Sequence, residues 1–282
     1  MSSKPSFSLG RALSAAFASL PAAWGGAWLI LIVLWAAGSF HRILIEYLLA
    51  AHIGPVAQGI AAVALLIVIL AVKLASQGAL YRIAIFGKSA QTEGLGFGGL
   101  QFSAPELRLF VSCLVVALFI LMVAIAAFVV FAVAFNSSGL GNGYDSTLAA
   151  LCAVFHRHQG IDWLFIGYVI AAFVFMIFVE LKFVLAFVAT VAERRIVTLN
   201  ALGLSSGNVG KLFLGILVFV VPFVAAAIAC VALLAHGGLH ALHSAGILYA
   251  VVIEAIAVFL VLPLTAGFLA SAYSQIVQKR AG

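Results

Sequence analysis

Few residues in this 282-residue chain carry groups able to do chemistry, and those that do are scattered. Glu180 and Glu254 are the acidic residues inside long apolar runs, where a carboxylate is costly enough to mark a candidate site for an ion, proton or substrate. Lys73 follows Pro55 by eighteen residues and Glu180 follows Asp162 by eighteen. On two helices running in the same direction, that spacing gives both a depth of about 27 Å. They are expected either to pair or to snorkel separately to the headgroups, with an ion or proton role as a third reading. Lys182 is a further basic candidate beside Glu180. If the hydrocarbon begins near Gly246, Glu254 lies about 12 Å deep, protonated or facing a water-filled cavity; otherwise it sits at the outer interface.

His236, His240 and His243 are spaced i, i+4 and i+7, so a helix would bring three imidazoles to one face, a set suited to Zn, Cu or Ni. Gly237-Gly238 disfavours a rigid helix there, and neither an HExxH pattern nor a nearby carboxylate accompanies them. Interfacial histidines are the expectation, with no metal and no cofactor. Cys113 and Cys230 lie in apolar runs and Cys152 in a connecting loop, as packing residues without disulfide or zinc spacing. Gly94-Leu95-Gly96-Phe97-Gly98-Gly99 follows no strand, so it reads as a flexible hinge and not a phosphate cradle. No nucleophile elbow, P-loop or dinucleotide fingerprint appears, and no enzymatic activity is expected.

The elements that must hold these residues follow from composition. Hydrophobic residues make up 66% and charged residues 8%, against roughly 45–50% and about 25% in a soluble chain, and the mean hydropathy is +1.29. Such a chain cannot present a surface to water, so it reads as an all-α polytopic membrane protein forming one domain over residues 1–282. Six segments reach the roughly 20 residues needed to cross about 30 Å of hydrocarbon: 22–40, 56–76, 108–135, 163–191, 212–235 and 246–272. Pro222 and Pro263 fall within the last two, where kinks are expected. The runs lack period-2 alternation, which excludes a β-barrel.

Orientation follows from the basic residues. Starting inside, the cytoplasmic ends hold Lys4, Arg11, Lys73, Arg82, Lys88, Arg108, Lys182, Arg194, Arg195, Lys211, Lys279 and Arg280, and the outer side holds Arg42 and Arg157. Twelve against two predicts both termini in the cytoplasm. The same bias accounts for the net charge of +6 and pI near 9.5 without nucleic acid. The first apolar stretch is long enough to be a retained span, with cleavage after Ala36-Ala37-Gly38 as the alternative.

Three short leaders, at 7–13, 97–103 and 197–203, each precede an outward span, a loop and an inward span, and the inward spans end alike at Tyr81-Arg82 and Tyr273-Ser274. The pattern suggests three units of an interfacial amphipathic helix plus a hairpin. The stretch Leu185-Ala186-Phe187-Val188-Ala189-Thr190-Val191-Ala192-Glu193-Arg194-Arg195, followed by Leu202-Gly203-Leu204-Ser205-Ser206-Gly207-Asn208 and Leu212, resembles uncharacterised bacterial multi-pass membrane proteins of the YciC type. It also resembles the membrane domain fused to some glycerophosphodiester phosphodiesterases, although no phosphodiesterase domain is present. The resemblance implies a protein of the bacterial cytoplasmic (inner) membrane linked to the envelope. The expected role is a non-enzymatic scaffold or lipid-handling protein with membrane lipids as partners. The alternative is a small secondary transporter using Glu180, Lys73 or Glu254.

Overall fold

The computed structural model describes residues 6–50, 54–137, 160–236 and 242–281. Among them are the helices α1 (Leu9–Ala50), α2 (Pro55–Phe86), α3 (Ala104–Ser137), α4 (Gly160–Ala192), α5 (Ala201–Ser205), α6 (Val209–His236), α7 (Leu242–Ile256) and α8 (Leu262–Ala281). Two 3-10 turns, Gly87–Ala90 and Phe97–Gly99, lie between α2 and α3, and a π-turn, Ala257–Val261, runs α7 into α8. No strand occurs among the described residues. Six helices, counting α7 through α8 as one, are long and apolar enough to cross a membrane, so the chain is an all-α polytopic membrane protein. Cys152, His156, Arg157, His158 and His240 lie outside the described residues, as does most of the Asn136–Asp162 loop.

The core is concentrated at one end. Buried side chains gather in the first half of α1, the second halves of α2 and α4, the start of α3, and α8, while Ile60 and Ile67 of α2, Phe128 of α3 and Phe173 of α4 are exposed. Both described ends of the chain, Lys211 and the α2–α3 connection meet at the packed end. There Lys279 Nζ donates to the Ser6 carbonyl at 2.7 Å, Lys211 Nζ to the Phe7 carbonyl at 3.0 Å, and the Ser8 amide to Gln275 Oε1 at 2.9 Å. We call this the basic end. Towards the other end the helices expose apolar flanks, which a bilayer covers without cost because lipid tails are as apolar as the side chains.

Small residues set the closest crossing. Ala12, Ala16, Ala23 and Ala27 form a buried stripe along α1, and α8 meets it with Gly267 and Ala270. A Cβ on Gly267 would stand 3.1 Å from the Ala16 Cα and 2.3 Å from Ser19 Oγ. In a membrane, where helix association rests on van der Waals contact, such approach is a principal source of stability. α3 pairs with α4 instead through larger groups: Phe119 packs edge-on against Phe183 at 5.2 Å, and Tyr168 donates to the Ala127 carbonyl at 2.7 Å.

The prolines behave differently from one another. Pro263 has no N–H, which deprives the Phe259 carbonyl, four residues back, of its helical donor. The π-turn occupies this position, and the Trp24 indole Nε1 donates to that carbonyl at 2.7 Å. Pro222 lies within α6, which continues through it as one helix. Pro21 also lies inside a helix, since α1 begins at Leu9, well before the expected span at 22–40.

The leaders adopt three conformations. The first supplies the opening turns of α1, and its Phe7 is buried against protein, edge-on to Phe268 at 6.0 Å, instead of reaching acyl chains. The third forms the short α5, with Ala201 and Leu204 buried. The second is a 3-10 turn and extended chain whose Phe97 and Phe102 do face outward. Its glycines correct the expectation of a free hinge. Gly98 and Gly99 have φ of 59° and 81°, and a Cβ on Gly99 would stand 2.8 Å from Ile30 Cγ2 and 3.1 Å from the Ala27 Cα. The turn is docked onto α1 where that helix departs from helical dihedrals, at Ala27 (φ −119°, ψ 15°), after Gly25-Gly26.

Gly99→Ala should therefore add a steric cost to the backbone strain of about 1–3 kcal/mol that any left-handed residue carries. Gly94 has φ of 82° with no atom within 4 Å of its would-be Cβ, so Gly94→Ala should show the strain alone. Thermal unfolding in detergent measures both. Equal losses would show that the docking contact contributes nothing.

Candidate functional site

At the basic end, Ser103-Ala104-Pro105-Glu106 opens α3 with the glutamate half of a capping box. Ser103 is the N-cap, its carbonyl accepting from the Leu107 amide at 3.1 Å, and Glu106 at the third helical position accepts from the Ser103 amide at 3.0 Å and from the Ser103 hydroxyl at 2.8 Å. Pro105 is tolerated because first-turn amides have no helical acceptor. The cap uses Glu106 Oε2. Its other oxygen, Oε1, accepts from Arg82 Nη2 of α2 at 2.5 Å and from Gln101 Nε2 at 3.1 Å. Arg82 and Glu106 are 2% and 0% exposed. Gly78, one turn before Arg82 on the same face, makes room, since a Cβ there would stand 3.0 Å from Oε1. Gln101 passes the connection on, its own Oε1 accepting from the Gly96 amide at 2.6 Å.

A second set of charges lies beside this pair. α4 ends at Ala192, and Arg194 turns the chain with φ of 52°, the left-handed conformation common after a helix but unusual for arginine. Arg108 Nη1 donates to the Arg194 carbonyl at 2.6 Å, and the Thr190 hydroxyl accepts from the Val197 amide at 3.2 Å, so the turn is tied at two points. Arg194 forms an ion pair with Glu93. Arg195 donates through Nε and Nη2 to Glu193 Oε2, at 2.9 and 2.7 Å, and the Tyr273 hydroxyl donates to Glu193 Oε1 at 3.1 Å.

Between the two sets lies a cavity of about 410 Å³ with Arg82, Thr92, Glu93 and Arg194 as its polar wall and Phe86 and Val191 among its apolar lining. A second, apolar cavity of about 380 Å³ runs between α1, α6 and α7–α8, lined by Phe17, Phe219, Pro222, Ala226, Ile253 and Leu264 among others.

The residues singled out in the sequence stand elsewhere. Lys73 and Glu180 are both exposed and no ion pair joins them, so of the readings open in the sequence the paired one is not what forms. Equal depth fixes height along two helices but not the direction in which each side chain points. Lys182 donates to the Ser206 hydroxyl at 3.3 Å and lies 5.4 Å from the Phe178 ring centroid. Glu254 is half-buried over Gly38, where a Cβ would come within 2.6 Å of its Oε1. His236 closes α6 and His243 is the second residue of α7, with His240 outside the described residues between them. Among the described residues no group of three or more His, Cys, Asp or Glu converges. In the sequence Arg82 stands out as an orientation charge and as the Tyr81-Arg82 end of a span, and nothing there joins it to Glu106. The available signal was Ser-x-x-Glu immediately before an apolar run.

Compared with protein-family models, curated proteins and solved structures, the chain matches none.

Removing one partner of a buried pair strands the other, at about 3–5 kcal/mol. Glu106→Gln and Arg82→Gln should each lower stability on that scale, read as thermal unfolding in detergent. The double variant should lose less than the sum, with a coupling of about 0.5–3 kcal/mol. Strict additivity would show that the two charges do not stabilise one another.

Proposed function

We propose that this protein is a non-enzymatic, lipid-associated scaffold or lipid-handling protein of the bacterial cytoplasmic membrane, with both termini in the cytoplasm. The observation that carries the reading is the apolar cavity between α1, α6 and α7–α8, which has the chemistry of an acyl chain and no charged residue among those lining it. Exposed apolar flanks on α2, α3 and α4 offer further surface to acyl chains. The resemblance to YciC-type proteins supports a place in envelope upkeep, and the clustering of basic groups at one end supports the orientation.

A secondary transporter is the alternative, and one observation favours it. Glu254 is a half-buried carboxylate just ahead of the π-turn Ala257–Val261, a feature frequent at functional sites. Against it, neither cavity described above is lined by Lys73, Glu180 or Glu254.

Two experiments test these readings. In a cysteine-free background, Gly238→Cys should react with an impermeant thiol reagent added to intact cells and Lys88→Cys should not; labelling of position 88 would overturn the orientation. For function, protein extracted with its surrounding lipid into polymer nanodiscs should hold phospholipid that survives exchange into detergent, and Ala226→Trp, which fills the apolar cavity, should release it. Retention unchanged by Ala226→Trp would remove the support, and proton-coupled uptake lost in Glu254→Gln would establish the alternative.

A further inference from the structure

We propose that the cavity at the basic end binds a phosphate ester that also carries an ammonium group, the chemistry of an aminoalkyl-phosphate headgroup. Arg82 forms part of its wall and commits Nη2 to the ion pair with Glu106, while Nη1 is buried without a hydrogen-bond partner among the described residues. A guanidinium presents its donors as a planar fork, so an amine left over beside a cavity is a preformed donor for a second anionic oxygen. Arg194 lines the same space, its backbone held by Arg108. Its side chain is 63% exposed, so its pairing with Glu93 contributes little and is readily exchanged. Thr92 adds a hydroxyl that donates to the Ser89 carbonyl at 2.7 Å and is left to accept from the ammonium.

Glu93 selects among anions. A bare phosphate between the two arginines would face this carboxylate, whereas an ammonium attached to the phosphate satisfies it. The cavity volume lies within the range of about 300–1,000 Å³ that holds small ligands. Its position also fits, since Phe86 ends α2, Pro105 opens α3 and Val191 nearly ends α4. Helix ends of membrane-spanning segments are where headgroups lie. The proposal rests on the lipid reading above only for the source of the ligand, which is a phospholipid or the free, water-soluble aminoalkyl phosphate.

The test is titration of the full chain in a neutral detergent with four probes: dihexanoyl phosphatidylethanolamine, free phosphoethanolamine, inorganic phosphate and a dihexanoylglycerol control. Three variants accompany it. Arg194→Asn removes the guanidinium while keeping a residue that accepts a left-handed backbone, and Thr92→Val removes the hydroxyl. Arg195→Asn removes a neighbouring charge that is engaged with Glu193 and does not line the cavity. Phosphoethanolamine, free or lipid-borne, should bind more tightly than inorganic phosphate. Arg194→Asn should weaken binding about tenfold or more and Thr92→Val about threefold, as expected for losing a charged and a neutral hydrogen bond, with Arg195→Asn unchanged. Saturable binding of the free compound with the same Arg194 dependence, and no gain from the acyl chains, would keep the site and remove the lipid reading. Lipid binding indifferent to Arg194→Asn but lost in Ala226→Trp would keep the lipid reading and overturn this site. Equal losses in Arg194→Asn and Arg195→Asn, or no binding beyond the glycerol control, would overturn it as well.

Discussion

The packed end of this bundle depends on one buried carboxylate. Glu106 accepts four hydrogen bonds, from the amide and hydroxyl of Ser103, the Gln101 amide group and the Arg82 guanidinium, and so caps α3 and fixes α3 against α2 at once. Through Gln101 it also fixes the Gly96 amide, just before the Phe97–Gly99 turn docked on α1. Three helices therefore take their positions from a group that is costly to bury. A hydrophobic pair of similar volume would often be neutral or more stable. What the ion pair adds is register, because each of its hydrogen bonds has a direction and a sliding helix would leave a charge without a partner.

Much of this architecture is legible in the residues, and what is not has identifiable physical causes. Span number follows from run length, since crossing hydrocarbon requires about 20 apolar residues whatever the partner helices are. Direction around the helix axis does not. Lys73 and Glu180 share a depth, yet the face each presents depends on packing with helices distant in sequence. The glycine run at 94–99 shows the same limit. Glycine content reveals that unusual dihedrals are permitted, but whether the segment is loose or docked depends on Ala27 and Ile30, nearly seventy residues away. The donor lost at Pro263 is legible, but not its replacement by the indole of Trp24. The Ser103–Glu106 box was legible and its meaning was local; nothing in the sequence ties Glu106 to Arg82.

The distribution of packing links fold to function. Where α1 and α8 cross on alanine and glycine, the backbones come close enough for dispersion alone to hold them. Away from this seam the helices are held by the Arg82–Glu106 pair, by aromatic contacts such as Phe119 on Phe183, and by side-chain bonds to backbone carbonyls such as Tyr168 to Ala127 and Tyr249 to Ala227, each at 2.7 Å. Between such contacts, gaps lined only by apolar groups are stable in a bilayer, because acyl chains fill them as well as side chains would. A gap of this kind in a water-soluble protein would be a defect.

Polar gaps obey the opposite rule. A space beside buried guanidinium groups cannot be filled by hydrocarbon without stranding donors, at a cost of about 1–3 kcal/mol for each unsatisfied group and more when it is charged. Such a space must hold water, an ion or a polar ligand. Here it adjoins Arg82, whose second amine finds no partner among the described residues because Glu106 is already saturated by the cap, Gln101 and the first amine. The interaction that sets the helix register thus also leaves a charged donor unspent at the height where helices end. The apolar cavity lies between α1, α6 and α7–α8 and the charged one at the ends of α2, α3 and α4, and the buried carboxylate that orders the fold leaves the second with its unspent donor.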